Sequence, residues 1–116
     1  MVDLETFEEL CLALPGVEKV AHWNHPAFRT KRRIFTTLWP ETTSANFAFT
    51  PDEQAAFCKE DPKSFYPVEG GWGRQGWTAV NLKKVKKGML VNAINSAWYN
   101  AAPPKLQEQY RLEKGL

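Results

Sequence analysis

The stretch from Val17 to Thr50, VEKVAHWNHPAFRTKRRIFTTLWPETTSANFAFT, decides the fold. Aromatic and β-branched residues dominate it, and polar turn signals break it at short intervals, a pattern that reads as consecutive strands. The expected strands are Val17 to Trp23, Ala27 to Thr30, Arg33 to Trp39 and Ser44 to Phe49. Asn24-His25-Pro26 interrupts the first pair, because proline has no N–H to give to a ladder. Pro40-Glu41-Thr42-Thr43 makes a later turn. Thr30-Lys31-Arg32-Arg33 reads as the tip of a tight hairpin, a geometry that would push three cations away from the sheet.

Helical signals flank these strands. Leu4, Phe7, Leu10, Cys11 and Leu14 fall at helical spacing, opposite Glu5, Glu8 and Glu9. Asp3 can cap this segment and Pro15-Gly16 ends it. Cys11 lies on the apolar stripe and reads as a small core residue. Thr50-Pro51-Asp52-Glu53 starts a second helix, with threonine at N-cap, proline at N1 and glutamate at N3. That helix should end near Glu60, before Asp61-Pro62. Phe65 to Gly76 is rich in aromatics and glycine, with the glycines letting the chain turn while Trp72 and Trp77 pack. Trp77 to Leu82 alternates as a last strand. Met89, Leu90, Ala93, Ile94, Ala97 and Trp98 then form a broad helical stripe. Pro103-Pro104 breaks it and can start a short terminal helix carrying Leu106 and Tyr110. The order α-β(4)-α-β-α implies a single domain over residues 1–116, a two-layer α+β fold with an antiparallel sheet.

A chain of 116 residues with 43% hydrophobic and 24% charged residues is long enough for one core. No run of about 18 apolar residues offers a membrane span. Two cysteines make no disulfide framework, and the start lacks a secretory pattern, so a cytoplasmic location is expected. Monomer is the default expectation. The formal charge of +2 conceals a segregated layout. Residues 1–18 carry five acids and no base, whereas residues 19–33 carry Lys19, Arg29, Lys31, Arg32 and Arg33 and no acid. A second basic island follows the last strand at Lys83, Lys84, Lys86 and Lys87. Such islands are candidate polyanion contacts, or simply solubilising turns.

Catalytic patterns are sparse. His22 and His25 are three residues apart, which on one continuous strand would place them on opposite faces. No cysteine or carboxylate cluster in the neighbouring sequence completes a metal set, so neither metal nor cofactor is expected. Gly70-Gly71-Trp72-Gly73-Arg74-Gln75-Gly76 lacks the lysine-serine ending of a phosphate loop. Trp23, Trp39 and Trp72 are available for stacking, although most such residues are expected to fill the core.

Several motifs, taken in order, resemble a known family. Leu14-Pro15-Gly16-Val17-Glu18 is followed by Trp23, Pro26-Ala27-Phe28-Arg29 and Arg33-Ile34-Phe35. A proline-containing aromatic stretch then precedes Gly76-Trp77-Thr78-Ala79-Val80-Asn81-Leu82. Across nearly its whole length the chain resembles the MmcQ/YjbR family of small bacterial proteins. The resemblance implies a curved antiparallel sheet packed by helices, in an arrangement related to secretion chaperones and frataxin. It also implies a "double wing" motif and a DNA-binding role, with the Thr30 to Arg33 tip where a wing would project. The chain departs from many relatives at Ser96-Ala97-Trp98, where they carry a Ser-Tyr pair. It also departs at Gly73-Arg74-Gln75-Gly76, where others carry a basic pair and Arg74 alone would have to serve.

The leading functional expectation is therefore non-enzymatic DNA binding, weak and salt-dependent. Arg29, Lys31, Arg32 and Arg33 would grip phosphates, and Arg74, Lys83, Lys84, Lys86 and Lys87 would extend the positive surface. The alternative is a chaperone-like protein-interaction module that binds a protein partner through its sheet or through Phe65 to Trp72. An acidic first-helix face supports that alternative. A third, small-molecule role would need a cleft on which His22 and His25 converge near Trp72.

Overall fold

In a computed structural model, residues 1–115 are described. They form helix α1 (Leu4–Leu12), strands β1 (Glu18–His22), β2 (His25–Arg29), β3 (Ile34–Trp39) and β4 (Ser44–Ala48), and helix α2 (Pro51–Glu60). Strand β5 (Phe65–Pro67), the one-turn helix α3 (Gly71–Arg74), strand β6 (Trp77–Asn81), and helices α4 (Lys87–Ala101) and α5 (Pro104–Lys114) follow. The two caps foreseen from sequence are formed. Asp3 accepts from the Thr6 amide at 2.8 Å, and Thr50 and Glu53 bond reciprocally as a capping box. Among the described residues no helix is long and apolar enough to cross a membrane.

The six strands make one sheet in the order β1-β2-β3-β4-β6-β5, every pair antiparallel. The glycine-rich segment is more structured than its composition suggests. Phe65 to Pro67 pairs with β6 as an edge strand, and α3 covers one turn of the path back. Only three residues of β5 pair, too few for a period to register, and its proline suits an edge.

Alternation across the sheet separates two faces. One carries Phe28, Phe47, Val80 and Phe65, all buried, and α1 and α4 pack on it. Phe7 of α1 meets Phe28 edge-on at 5.9 Å. The Trp98 indole of α4 donates to the Pro15 carbonyl at 3.0 Å, locking the end of the first helix to the last long one. Cys11 is buried in this core, and desolvation pushes its thiol far above the ordinary range, so it is inert packing as expected. No helical layer covers the other face among the described residues; α3 alone sits beside β6. The fold is thus a two-layer α+β arrangement with its second sheet face open.

Candidate ligand-binding trough on the open sheet face

The open face is where four of the five tryptophans gather, against the expectation that most would fill the core. Only Trp98 is fully buried. Strand parity explains the outcome. The register Thr37↔Asn46 and Trp39↔Ser44, with Asn46↔Ala79 and Ala48↔Trp77, puts Trp39 and Trp77 on the face opposite Phe47 and Val80. Trp23 is 83% exposed and Trp72 64% exposed, far beyond what a core role permits.

The histidines also correct the sequence reading. Strand β1 ends at His22 and β2 begins at His25, with Trp23 and Asn24 as a two-residue turn. Both turn residues have positive φ, 54° and 64°, as the tight antiparallel turns that match strand twist require. His22 and His25 are therefore directly opposed partners on one face, not residues three apart along one strand. Pro26 lies inside β2 instead of breaking the pair, opposite Ala21. Asparagine tolerates this backbone, but a bulky tryptophan with positive φ is strained.

Between these groups lies a cavity of about 320 Å³. One wall is the His25 ring tilted onto Trp39, with centroids 3.8 Å apart. The opposite wall is the edge-on pair Trp72 and Trp77, at 6.1 Å. Thr37 and Asn46 form a polar floor between them, and Trp23 and Val68 close the ends. The Trp39 indole donates to the Thr37 hydroxyl at 3.1 Å, which fixes that wall to the floor. A second cavity of about 330 Å³ shares Trp39, Asn46 and Val68 with the first and runs on to Tyr66 and Glu69. Together they form one trough across the sheet.

Two glycines hold the far wall in place. A Cβ on Gly73 would lie 1.7 Å from the Val68 carbonyl oxygen, so only glycine lets α3 seat against that strand end. Gly76, at φ 117°, passes the Phe49 carbonyl oxygen nearly as closely, at 2.0 Å for an added Cβ. Gln54 of α2 donates to the carbonyls of Gly73 and Trp77 at 2.8 and 3.0 Å, buttressing the same corner. The glycines therefore serve turning and tryptophan packing, as the sequence suggested.

Glu41 stands at the rim, in the turn after Trp39, and its carboxylate meets His25 Nε2 at 2.7 Å. That bond raises the His25 pKa and lowers that of Glu41. The other ring nitrogen of His25 faces the Trp23 carbonyl at 2.9 Å. Among the described residues no group of three metal-ligating side chains converges.

The expected basic residues lie elsewhere, and the hairpin tip differs from a free wing. Thr30 is buried, and its hydroxyl donates to the Ala101 carbonyl at 2.7 Å. Arg33 donates to the Asn100 carbonyl and Arg32 to that of Ala102, each at 3.1 Å. Arg29 folds onto the carbonyls of Thr30 and Lys31. The tip thus turns back onto the C-terminal end of α4, whose last carbonyls have no partner within the helix. Arg32 and Arg33, expected to point away from the sheet, each give a donor to that end while remaining exposed, as Lys31 is. Lys83, Lys84, Lys86 and Lys87 are exposed at the opposite end of α4, Lys86 being its N-cap. A 15-residue helix separates the two islands by about 22 Å. Arg74 ends α3, with its guanidinium folded back toward Gly71.

The comparisons agree with this architecture. The YjbR family model matches residues 12–100. No curated protein matches the chain. The crystal structure of Deinococcus radiodurans protein DR2400, which carries a DUF419 domain, superposes with a TM-score of 0.76 at 16% identity, covering 100% of this chain and 90% of that one. A crystal structure of a Pseudomonas syringae protein superposes with a TM-score of 0.68 at 12% identity, covering 86% of this chain and 99% of that one. At these identities the two structures speak for the fold. The family follows from the match over residues 12–100: the chain belongs to the YjbR family.

Proposed function

We propose that this protein is a non-enzymatic binding module whose working surface is the aromatic trough on the open face of its sheet. The observation that carries the reading is the gathering of Trp23, Trp39, Trp72 and Trp77 around one cavity on an uncovered face. Exposing large rings costs solvation free energy, and ligand pockets are commonly apolar clefts with a few placed polar groups. Thr37 and Asn46 supply those groups. The strained φ of Trp23 supports the same view, because such backbone persists mainly where the surrounding structure or a function demands it. The test is chemical-shift mapping with a mixed panel of small molecules and a DNA duplex. The reading requires perturbations centred on His25, Thr37, Trp39, Asn46, Trp72 and Trp77. Perturbations confined to Lys83 through Lys87 would reject it.

A second reading, DNA binding, is supported by the four exposed lysines of the β6–α4 turn. In this form it rests on Lys83, Lys84, Lys86 and Lys87, with Arg74 and Lys31 as outlying cations. Arg29, Arg32 and Arg33 already spend donors on carbonyls. With about four phosphate contacts, the logarithm of affinity would fall with a slope of roughly −3.6 against that of salt.

A further inference from the structure

We infer that the trough takes a small organic cation, of the quaternary or fully alkylated ammonium class. This rests on the trough being the binding surface, and it adds the charge of the ligand.

The argument is one of complementarity. The protein is net positive, with basic islands at both ends of α4, yet among the described residues no lysine or arginine lines either cavity of the trough. The charged residue in that lining is Glu69, and Glu41 stands at the rim on His25. Neither glutamate pairs with a lysine or arginine among the described residues. The walls are rings, and the face of an indole attracts a cation through its quadrupole, tryptophan being the strongest of the aromatic side chains. An alkylated ammonium has no strong hydrogen-bond demand, which suits apolar walls. A primary ammonium would keep its water, and an anion would meet the carboxylates. A volume of about 320 Å³ suits a small molecule and not a folded domain. Thr37 and Asn46 on the floor can bond a hydroxyl or carbonyl on the same ligand.

The titratable groups around the site set a pH condition. His22 and His25 face the cavity, and Glu41 faces His25. A protonated His25 would oppose a cation, so affinity should rise as pH is raised through the His25 titration.

The test is a fluorescence titration of the full chain with choline, and with 3,3-dimethylbutan-1-ol, which replaces the charged nitrogen by carbon at the same shape. The expected result is saturable binding of choline at least tenfold tighter than the alcohol, equivalent to about 1.4 kcal/mol. Glu69→Gln should reduce that ratio, and Trp72→Ala, at an exposed position, should weaken both ligands without unfolding the protein. Equal affinity for the two probes, both lost in Trp72→Ala, would overturn the cation assignment while leaving the trough as a binding surface. Binding of neither probe, with the trough tryptophans instead becoming shielded as protein concentration rises, would overturn the assignment in favour of a second copy of the chain. Binding of neither, with no shielding and no shift from any other small molecule, would overturn both the cation and the trough.

Discussion

Arg33 donates to the carbonyl of Asn100 across 3.1 Å, joining the β2–β3 turn to the last turn of α4. Thr30 and Arg32 repeat the contact at Ala101 and Ala102. Three donors from one turn thereby meet three successive carbonyls that the helix itself leaves unpaired. Of these, the Thr30 hydroxyl is the buried one. Thr30→Val keeps the shape but strands the Ala101 carbonyl, and should cost about 1–3 kcal/mol in urea unfolding. An unchanged midpoint would show that this turn does not hold the helix end.

The same contacts separate the two basic islands by role. Replacing Lys83, Lys84, Lys86 and Lys87 with alanine should remove most of whatever duplex affinity the protein has and flatten its salt dependence. Replacing Arg32 and Arg33 should lower stability more than it lowers that affinity. Electrophoretic mobility shifts at two salt concentrations, beside thermal melts of the same variants, would decide. A loss of DNA binding confined to the arginine variant, with its melting temperature intact, would restore the hairpin tip as the contact surface.

The His25–Glu41 pair gives a pH signature with a defined sign. His25 is raised above the ordinary 6.5, first by its hydrogen bond to Glu41. Its contribution to stability is therefore complete below pH 6.5 and is lost as pH rises through the raised folded value. Glu41 is lowered from 4.5, first by the same bond, so its contribution is complete above 4.5 and is lost as pH falls through the lowered folded value. The pair should thus stabilise most between about pH 4.5 and 6.5. The His25 ring resonance followed by NMR should titrate above the ordinary 6.5, and Glu41→Gln should bring it back down. An unmoved His25 titration in that variant would exclude the pair.

Trp23 stands where a glycine or asparagine would be easier, at φ 54° in the two-residue turn between β1 and β2. Trp23→Gly should therefore leave stability unchanged or raise it by about 1 kcal/mol, since glycine takes positive φ freely. The same change should weaken ligand binding at the trough. A residue kept at a conformational cost for its exposed ring behaves in this way. Destabilisation by the glycine would show that Trp23 holds the hairpin together instead.

The helices were legible because their signals are local: Thr50-Pro51-Asp52-Glu53 states a cap in four residues, and Leu90, Ala93, Ile94 and Ala97 state a buried stripe. Two short features escaped. Among the described residues the Phe65–Pro67 strand pairs with β6 alone, so its evidence lies in the partner. The Trp23-Asn24 turn lacks the glycine that usually marks such hairpins, so Pro26 drew the break to Asn24-His25-Pro26, one to two residues too late. That small shift hid the site, because it placed His22 and His25 on opposite faces on paper when they share one. The face chosen by Trp39 and Trp77 depends on register with β4, which no single strand declares. The basic islands were visible as composition, but that Arg32 and Arg33 meet α4 depends on contacts about seventy residues apart.

The most direct test of the trough uses the five indole N–H resonances in a ¹H–¹⁵N spectrum. Trp23, Trp39, Trp72 and Trp77 belong to the trough, and Trp98 is buried on the far side with its N–H bonded to Pro15. Addition of choline should shift the trough indoles progressively and leave Trp98 in place. A titration in which neither choline nor any other small molecule of the mixed panel moves any of the four, or in which Trp98 moves with them, would contradict the account.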